Sequence, residues 1–408
     1  MKKVNDIAVI GGGAAGLFFA VTVKRLVPEA SVTVFEANDR VGKKLAITGN
    51  GRCNITNRSA SAEDYHGDGM LAERTLKGFD YEAQKAFFES LGVYFKTEND
   101  KVYPSSLQAT SVVDALRFEA EESGAELKCG CRVSAIRREN GGFSVETESG
   151  TDLFKSAVIA CGGRAGGRLG SISGYEILRS LGHKIEPVFP SVVPLKTETE
   201  IVRRLKGIKV DATVTAESSL GVRTESGEVL FCDYGISGPP VMQVSRLAEG
   251  QNARVILDLM PDFGERELAD IIEKTVTAHP ERPISELFTG LLHKKLGQVI
   301  TRECGIDINR SFSTLQIGDI KRISQRIKHF ELKVTGTMGF ENAQVTAGGA
   351  QTAQFFDSFM SKKAKGLFAI GEVLNVDGDC GGFNLAFAWS SAYAAARGMA
   401  EYLNGDVK

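Results

Sequence analysis

The N-terminal stretch constrains the fold of this chain more than any other. Residues 7–10 form a short, uninterrupted apolar run of the kind found in buried parallel strands. Glycines at positions 11, 13 and 16 follow with the spacing G-x-G-x-x-G, residues 17–26 continue with a helical pattern, and residues 31–35 alternate as in a second strand. This order of strand, glycine turn, helix and strand is typical of a dinucleotide-binding β-α-β unit.

Each glycine of this motif has a separate physical role. Gly11 permits the tight turn, Gly13 allows a pyrophosphate to approach the backbone, and Gly16 lets helix and strand pack closely. The phosphates are expected at the helix N-terminus, and Glu36, which ends the second strand, is expected to accept hydrogen bonds from an adenosine ribose. The alternative is a glycine-rich turn without a ligand. The predicted contacts of this part of the cofactor are Gly11, Gly13, Ala14, Ala15, Gly16, Glu36 and Ala37.

Residues 43–57, KKLAITGNGRCNITN, fit neither a regular helix nor a strand. A protein that binds only NAD would be expected to enter its next helix and strand here, so a long polar loop favours a larger cofactor, FAD, followed beyond its adenosine half. Lys44 or Arg52 could face the pyrophosphate or a substrate anion. The alternative is a rigid turn that ties the domain together. The predicted contacts are Lys43, Lys44, Gly49, Asn50, Gly51, Arg52, Cys53 and Asn54.

A second glycine-rich region, residues 366–400, predicts a strand over 367–370, an acidic loop, and a helix that opens at 381–384. The N-terminus of that helix would face the N1/C2=O side of an isoalloxazine ring and stabilise negative charge there. Asp377 or Glu372 could bind the ribityl chain. The alternative is a terminal helix docked on the sheet. The predicted contacts are Gly371, Glu372, Asp377, Gly381, Gly382, Phe383 and Asn384.

Four strings, GGGAAG, GKKLAITGNGRCNITN, GISGP and GEVLNVDGDCGGFNLAFAWSS, are together similar to the BaiN-like (YhiN-type) FAD-dependent oxidoreductases of bacteria, and the resemblance runs end to end. It implies an α/β fold: a Rossmann-type FAD-binding domain (glutathione-reductase-like) interrupted by a β-rich, barrel-like insertion and a small helical subdomain. Relatives of this kind are linked to reduction of unsaturated steroid-type acids and to oxidation of a small amino-ketone. The sequence departs from the family pattern at residues 358–362 and at Asn375, both near the presumed flavin site.

Changes of pattern along the chain place the domain boundaries. We expect the FAD-binding domain over 1–190 and 336–408, the β-rich insertion over 191–258, the helical subdomain over 259–320, and a return strand of the β-rich domain over 321–335. Residues 126–154 read as a small antiparallel ribbon inside the cofactor domain. Within that domain, Val133, Gly162 and Gly163 are further predicted cofactor contacts. No second G-x-G-x-x-G follows a strand, so NAD(P)H is expected to dock only transiently, at the flavin.

Composition excludes several classes of function. The formal net charge is −2 with both signs interspersed, which argues against a nucleic-acid partner. No stretch holds about 18 uncharged apolar residues, so no membrane helix is expected. Seven cysteines without a C-x-x-C pair indicate reduced thiols in the cytoplasm. The sequence does not specify an oligomeric state.

The sequence does not identify a catalytic acid or base, and it predicts no metal site. None of the five histidines lies in a glycine-rich loop; His183 is expected at a helix end, and His66, His279, His293 and His329 at the surface. Cys53 and Cys380 are predicted to pack rather than react.

The leading hypothesis is an FAD-dependent oxidoreductase that transfers hydride between the flavin N5 and a small or medium organic substrate, with NAD(P)H as a candidate donor. One alternative is a low-turnover flavoprotein that senses redox state or binds a partner. A second is a flavin-dependent RNA modifier, which the near-neutral charge disfavours.

Overall fold

The structure is a computed structural model that describes residues 4–171 and 173–406. In chain order the strands are β1 (Val4–Ile10), β2 (Val32–Phe35), β3 (Thr56–Asn57), β4 (Tyr65–Gly67), β5 (Phe95–Glu98), β6 (Lys101–Pro104), β7 (Glu126–Lys128), β8 (Val133–Glu139), β9 (Gly142–Thr147), β10 (Gly150–Ile159), β11 (Ile185–Ser191), β12 (Leu195–Thr197), β13 (Lys209–Ser218), β14 (Gly221–Phe231), β15 (Gly235–Ser237), β16 (Arg254–Asp258), β17 (Phe330–Thr337), β18 (Val345–Ala350), β19 (Leu367–Ala369) and β20 (Val376–Gly378). The helices are α1 (Ala14–Leu26), α2 (Lys43–Ala46), α3 (Gly69–Gly78), α4 (Tyr81–Ser90), α5 (Ala109–Glu122), α6 (Ser173–Ser180), α7 (Thr199–Arg204), α8 (Pro239–Val244), α9 (Glu265–Ala278), α10 (Lys294–Glu303), α11 (Ile317–Lys328) and α12 (Phe383–Leu403).

The first of two compact units, up to Pro190 and again from Gln344, is built around a mixed sheet. Strands β7, β2, β1, β10 and β19 lie side by side in parallel. Strand β10 is long: residues 150–154 pair antiparallel with β9, and residues 157–159 pair with β19. Because parallel strands end at the same edge, the loops after β1, β2, β10 and β19 collect on one side of the sheet, where doubly wound folds bind their ligands.

Helices α1 and α12 pack against each other and share one core. The rings of Phe18 in α1 and Trp389 in α12 are both fully buried, with centroids 5.5 Å apart. Phe88 of α4 closes the cluster with its ring 5.2 Å from that of Trp389. Burial of such large side chains is the main stabilising contribution here, so the two ends of the unit are held together by the hydrophobic effect.

The second unit, Ser191–Ala343, is a closed antiparallel barrel with attached helices. Its strands follow the order β12-β15-β14-β13-β16-β17, and pairing of β12 with β17 closes it. Barrel residues such as Leu257 and helix residues such as Ile272 and Ile323 belong to one cluster of buried side chains. The barrel and the helices of this unit therefore form a single core rather than two.

The structure differs from the predicted boundaries near the end of this unit. A return strand was expected over 321–335, but α11 occupies Ile317–Lys328 and the strand is Phe330–Thr337. The spacing of Ile320, Ile323 and Ile327, all buried, is that of a helix face and explains the difference. Residues 336–343, expected in the cofactor domain, belong to the second unit.

The ribbon expected over 126–154 is also different in part. Strands β8, β9 and β10 are antiparallel neighbours as expected, but Glu126–Lys128 pairs parallel with β2 and extends the main sheet.

Across residues 4–171 and 173–406, no helix is long and apolar enough to cross a membrane.

Candidate functional site

The glycines between β1 and α1 have the steric environments that their predicted roles require. A Cβ added to Gly16 would lie 1.9 Å from the carbonyl oxygen of Gly11, so this position is filled by the backbone of the turn. Gly11 has a φ of +111°, and an added Cβ would lie 2.4 Å from the oxygen of Ala160. At Gly13, by contrast, an added Cβ would meet no described atom within 4 Å. The open space therefore lies above the middle glycine, at the start of α1.

The N-terminus of α1 is arranged to receive an anion. The first N–H groups of a helix, here from Ala14 to Gly16, have no intrahelical acceptor, and no side chain of the described residues caps this end. The helix dipole adds partial positive charge at the same place. A phosphate group fits both the space and the electrostatics.

Glu36 lies beside this turn, after β2. Its Oε2 accepts from the backbone N–H of Gly12 at 3.0 Å, and its Oε1 accepts from the backbone and the side-chain amide of Asn38, both at 2.7 Å. Ala37 is exposed next to it. Val133 is buried at the start of β8, two residues after Cys131, whose N–H donates to the Glu36 carbonyl at 2.8 Å. The predicted adenosine contacts are thus brought together.

Residues 43–57 are more ordered than the sequence predicted. They contain the short helix α2 and a 3-10 turn, Thr48–Gly51, in which Gly49 and Asn50 adopt left-handed backbone conformations. The Trp389 indole N–H donates to the carbonyl of Ile55 at 2.7 Å, which fastens the stretch to α12. A non-glycine residue in the left-handed region costs free energy, and such strain concentrates at functional sites.

Lys44 connects this stretch to the C-terminal half of the site. Its ammonium lies 2.6 Å from Oε2 of Glu372, whose Oε1 accepts from the N–H of Thr346 at 2.8 Å. Lys44 therefore faces a carboxylate of the protein. Gly163 packs against the same carboxylate, since a Cβ added there would lie 2.8 Å from Oε1 of Glu372. A Cβ added to Gly162 would lie 3.8 Å from Oε2 of Glu372, which is ordinary van der Waals contact.

Gly371 joins the two glycine-rich regions directly. A Cβ added to Gly371 would lie 3.0 Å from the Cβ of Ala15 in the first turn of α1. The end of β19 is therefore next to the predicted phosphate position, although the two segments lie at opposite ends of the sequence.

The loop between β20 and α12 is held by the side chain of Asn384. Its Oδ1 accepts from the N–H of Gly378 at 2.8 Å, and its amide donates to the carbonyl of Gly378 at 2.7 Å. The amide of Asn57 donates to the carbonyl of Gly381 at 2.9 Å. Asp377 is buried in β20, and Phe383 begins the helix.

Asn54 presents an unsatisfied polar atom at the start of α12. Its Oδ1 is buried without a hydrogen-bond partner among the described residues. A Cβ added to Gly382, the residue before the helix, would lie 2.8 Å from this oxygen and 2.5 Å from the carbonyl of Thr56. Buried polar atoms without a partner are costly, so the atom fits a ligand that completes its hydrogen bonding at the helix N-terminus.

Other predicted contacts lie toward solvent or are engaged elsewhere. Arg52 pairs with Glu98 at 2.8 Å, and its guanidinium lies 4.3 Å from the centroid of the Tyr103 ring. Lys43 pairs with Asp39 one turn earlier. The remaining predicted contacts of this stretch, Gly49, Asn50 and Gly51, are exposed.

The thiols near the site are unreactive by their environment. Cys53 is fully buried, and burial raises the pKa of its thiol to about 12. Burial also raises the pKa of Cys380. Because the thiolate is the reactive form, both residues behave as the packing residues that the sequence predicted.

The structure confirms the predicted position of one histidine and differs for another. His183 follows the C-terminal end of α6, as expected, but it is buried, with Nδ1 3.1 Å from the Leu178 carbonyl of that helix and Nε2 2.8 Å from Oγ of Ser361. His66 is not an isolated surface residue, because its Nε2 lies 3.0 Å from Oδ1 of Asp379 in the loop before α12. Nothing in the sequence near His66 indicates this partner, which is 313 residues away.

Comparisons with known proteins agree with this geometry. The chain is 36% identical over 407 residues to a protein of Clostridium scindens named 3-dehydro-bile acid delta(4,6)-reductase, covering 98% of this chain and 100% of that protein. It is 30% identical over 406 residues to a protein of Haemophilus influenzae named ribosomal RNA dihydrouridine synthase, covering 97% of this chain and 98% of that one. A solved quinol–fumarate reductase shares the fold, with a TM-score of 0.53, 16% identity, and coverage of 100% of this chain and 73% of that chain.

The family is identified by a protein-family model that matches almost the whole chain. The model described as the HI0933-like protein Rossmann domain matches residues 5–398. Together with full-length similarity to the reductase, this match confirms the resemblance drawn from the motifs. The chain belongs to the HI0933-like Rossmann family of BaiN-like flavin oxidoreductases.

Proposed function

We propose that the protein reduces a carbon–carbon double bond conjugated to a carbonyl group in a small or medium organic molecule, using bound FAD and NAD(P)H as the electron donor. The observation that carries the proposal is the junction of the two half-sites. Gly371 packs on Ala15, and Lys44 pairs with Glu372, and these contacts support our assignment of the open space at Gly13 and the unsatisfied Oδ1 of Asn54 to one FAD site.

The residues fit FAD from one end to the other. Glu36 would bind the adenosine ribose, the N-terminus of α1 the pyrophosphate, and Asn54 with the N-terminus of α12 the isoalloxazine ring. The N–H groups at that second helix end would stabilise negative charge on the ring. When bound, FAD supplies two-electron chemistry at its N5 atom, while the protein positions the substrate and excludes water.

The substrate class is supported by the names of two relatives. One is a bile-acid Δ4,6-reductase and the other a dihydrouridine synthase. Both names describe saturation of a carbon–carbon double bond: in a 3-oxo-4,6-diene and in uracil, the bond is conjugated to a carbonyl group. Conjugation makes one carbon electrophilic, so the common chemistry is addition of two electrons and two hydrogens across a polarised double bond.

A second candidate is reduction of uridine in ribosomal RNA, which the 30% identity to the synthase favours. The net charge of −2, with Lys and Arg interspersed among Asp and Glu, favours the small molecule, since RNA-binding surfaces are basic.

We further propose that the protein acts in the cytoplasm, where its seven free cysteines would remain reduced.

The test is an anaerobic screen of the purified yellow protein. Loss of the flavin absorbance with NADH or NADPH, and its return with a conjugated enone such as a 3-oxo-4,6-diene bile acid, is the expected result. Mass spectrometry of dihydrouridine in rRNA from a deletion strain tests the second candidate. A protein that neither retains nor takes up FAD would refute both.

A further inference from the structure

Strand β4 places one imidazole against the loop that leads into α12. Tyr65–Gly67 pairs antiparallel with Val376–Gly378, with His66 opposite Asp377. The N–H of Asp379 donates to the carbonyl of Asp64 at 3.0 Å, so the pairing continues past the end of the strand. His66 is therefore next to the segment that forms the N-terminus of α12.

The two nitrogens of the His66 ring have different environments. Nε2 lies 3.0 Å from Oδ1 of Asp379, and because a carboxylate only accepts, Nε2 carries the hydrogen. The Asp379 side chain is 10% exposed and that of His66 is 26% exposed. Within residues 4–171 and 173–406, no hydrogen bond to Nδ1 is found. One nitrogen is thus held by a buried carboxylate, and the other remains available.

The backbone on both sides of His66 is fixed relative to α12. The hydroxyl of Tyr65 donates to the carbonyl of Phe383, the first residue of the helix, at 2.8 Å. The N–H of Asp68 donates to the carbonyl of Asn375 at 3.1 Å. The strand pairing and the contact with Asp379 hold the ring beside the helix end, and such positioning favours proton transfer.

We propose that His66, oriented by Asp379, donates the proton that completes reduction of the substrate double bond. This inference rests on the proposed function, in which NAD(P)H is the reductant and two electrons with one hydrogen reach the electrophilic carbon through the bound cofactor. For this step His66 carries a hydrogen on Nδ1 as well as on Nε2: the N–H bond at Nδ1 breaks as a C–H bond forms at the other carbon of the former double bond, and the imidazolium becomes neutral imidazole. Neutral His66 recovers its proton from water at its exposed edge.

Neighbouring acidic groups are already committed to other partners. Asp64 accepts from the N–H of Ser61 at 2.8 Å, and Asp68 accepts from the N–H of Leu71 at 3.0 Å. From the opposite strand and loop, the titratable groups beside His66 are Asp377, Asp379 and Cys380. Burial raises the pKa of Cys380. Within this set, the imidazole combines a ring nitrogen outside the Asp379 hydrogen bond with an edge in contact with water.

The test compares holoenzyme variants by anaerobic stopped-flow spectroscopy. Reduction by NADPH takes no proton from His66 and serves as the internal reference. Re-oxidation by a 3-oxo-4,6-diene bile acid should be slower by about 10²–10⁴-fold in His66→Gln, the usual contribution of a general acid. Asp379→Asn should show a smaller loss of rate, and His279→Gln, at an exposed histidine, none.

A second measurement is independent of turnover. In ¹⁵N-histidine NMR spectra of the protein without FAD, the Nε2–H resonance of His66 should be observed as a hydrogen-bonded proton, and Asp379→Ala, which removes the acceptor, should remove it. If His66→Gln does not fold, Asp379→Asn carries the kinetic comparison. The same spectra then report whether that variant is folded.

The outcomes separate the two proposals. Equal re-oxidation rates in wild type and His66→Gln would overturn the role of His66 and leave the proposed function standing. No re-oxidation of the wild type by any enone would refute the proposed function and the proton transfer with it. An intact His66–Asp379 hydrogen bond in that case would show that the function, rather than the geometry, was wrong.

Discussion

Replacing Gly13 by alanine separates a glycine kept for a ligand from one kept for the fold. An added Cβ at Gly13 meets no described atom within 4 Å, and its φ is −83°, a value that alanine adopts without strain. Without FAD, the free energy of unfolding of Gly13→Ala should therefore differ from wild type by less than about 1 kcal/mol. The new methyl group would occupy the space assigned to the pyrophosphate.

The loss of FAD affinity follows from the hydrogen bonds at this end of α1. Hydrogen bonds to a charged group contribute about 1.5–3 kcal/mol each. If the methyl group displaces the pyrophosphate enough to break one of them, the dissociation constant should rise about 10- to 150-fold. Titration of FAD into the deflavinated protein, followed by flavin fluorescence, measures this change.

Gly16→Ala is the matched control. Its Cβ would lie 1.9 Å from the Gly11 oxygen, so the turn must move. The free energy of unfolding of the protein without FAD should therefore fall by about 1–3 kcal/mol or more. For a unit of this size each kcal/mol lowers Tm by about 2–4 °C. Wild-type FAD affinity in Gly13→Ala, with unchanged Tm, would refute the placement of the pyrophosphate.

Three further predictions concern single side chains. Arg52→Ala removes an ion pair with Glu98 in which both side chains are more than one third exposed, so the free energy of unfolding in urea should change by less than about 1 kcal/mol. FAD retention or turnover should fall. Unchanged flavin content and turnover would show that residues 43–57 have only a structural role. Iodoacetamide at mildly alkaline pH should alkylate exposed Cys129 before buried Cys53, whose pKa is about 12, and peptide mapping that found equal rates would contradict the burial argument. Burial lowers the pKa of His183 in the folded protein, so the unfolded chain binds the proton more tightly. The contribution of neutral His183 to the free energy of unfolding is therefore complete above about pH 6.5 and should be lost as the pH falls through the lower folded pKa. Urea titrations at several pH values should show this loss, and His183→Gln should reduce it.

Local sequence patterns were sufficient for the parts of the fold that depend on near neighbours. The spacing of Gly11, Gly13 and Gly16 predicted both the β-α-β unit and three different steric environments, and the structure shows all three. The glycines before α12 likewise marked the start of a helix. In each case the constraint acts within a few residues, where backbone sterics decide the conformation.

Contacts between distant segments could not be predicted in the same way. The pairs Lys44–Glu372 and His66–Asp379 join residues 328 and 313 positions apart, and neither charge pattern nor periodicity encodes the match. Glu372, one of two candidates for the ribityl chain, pairs with Lys44, and nothing near either residue in the sequence indicated that contact. Residues 321–328 of α11 were assigned to the return strand together with the run FELKVTG that follows them, although the spacing of Ile323 and Ile327 is that of a helix face.

The bond between Trp389 and Ile55 spans 334 residues, and this has a consequence for synthesis on the ribosome. At about 5–20 residues per second, residues 43–57 wait roughly 15–70 s before α12 emerges to cover them. Strand β10 waits roughly 10–40 s with the edge at residues 157–159 unpaired, until β19 is made. During that interval the nascent chain has its adenosine half-site without its flavin half-site, and it exposes an apolar edge to which other chains can add. Chaperone demand for this protein should therefore peak late in translation, and chains released early should be colourless and prone to aggregate.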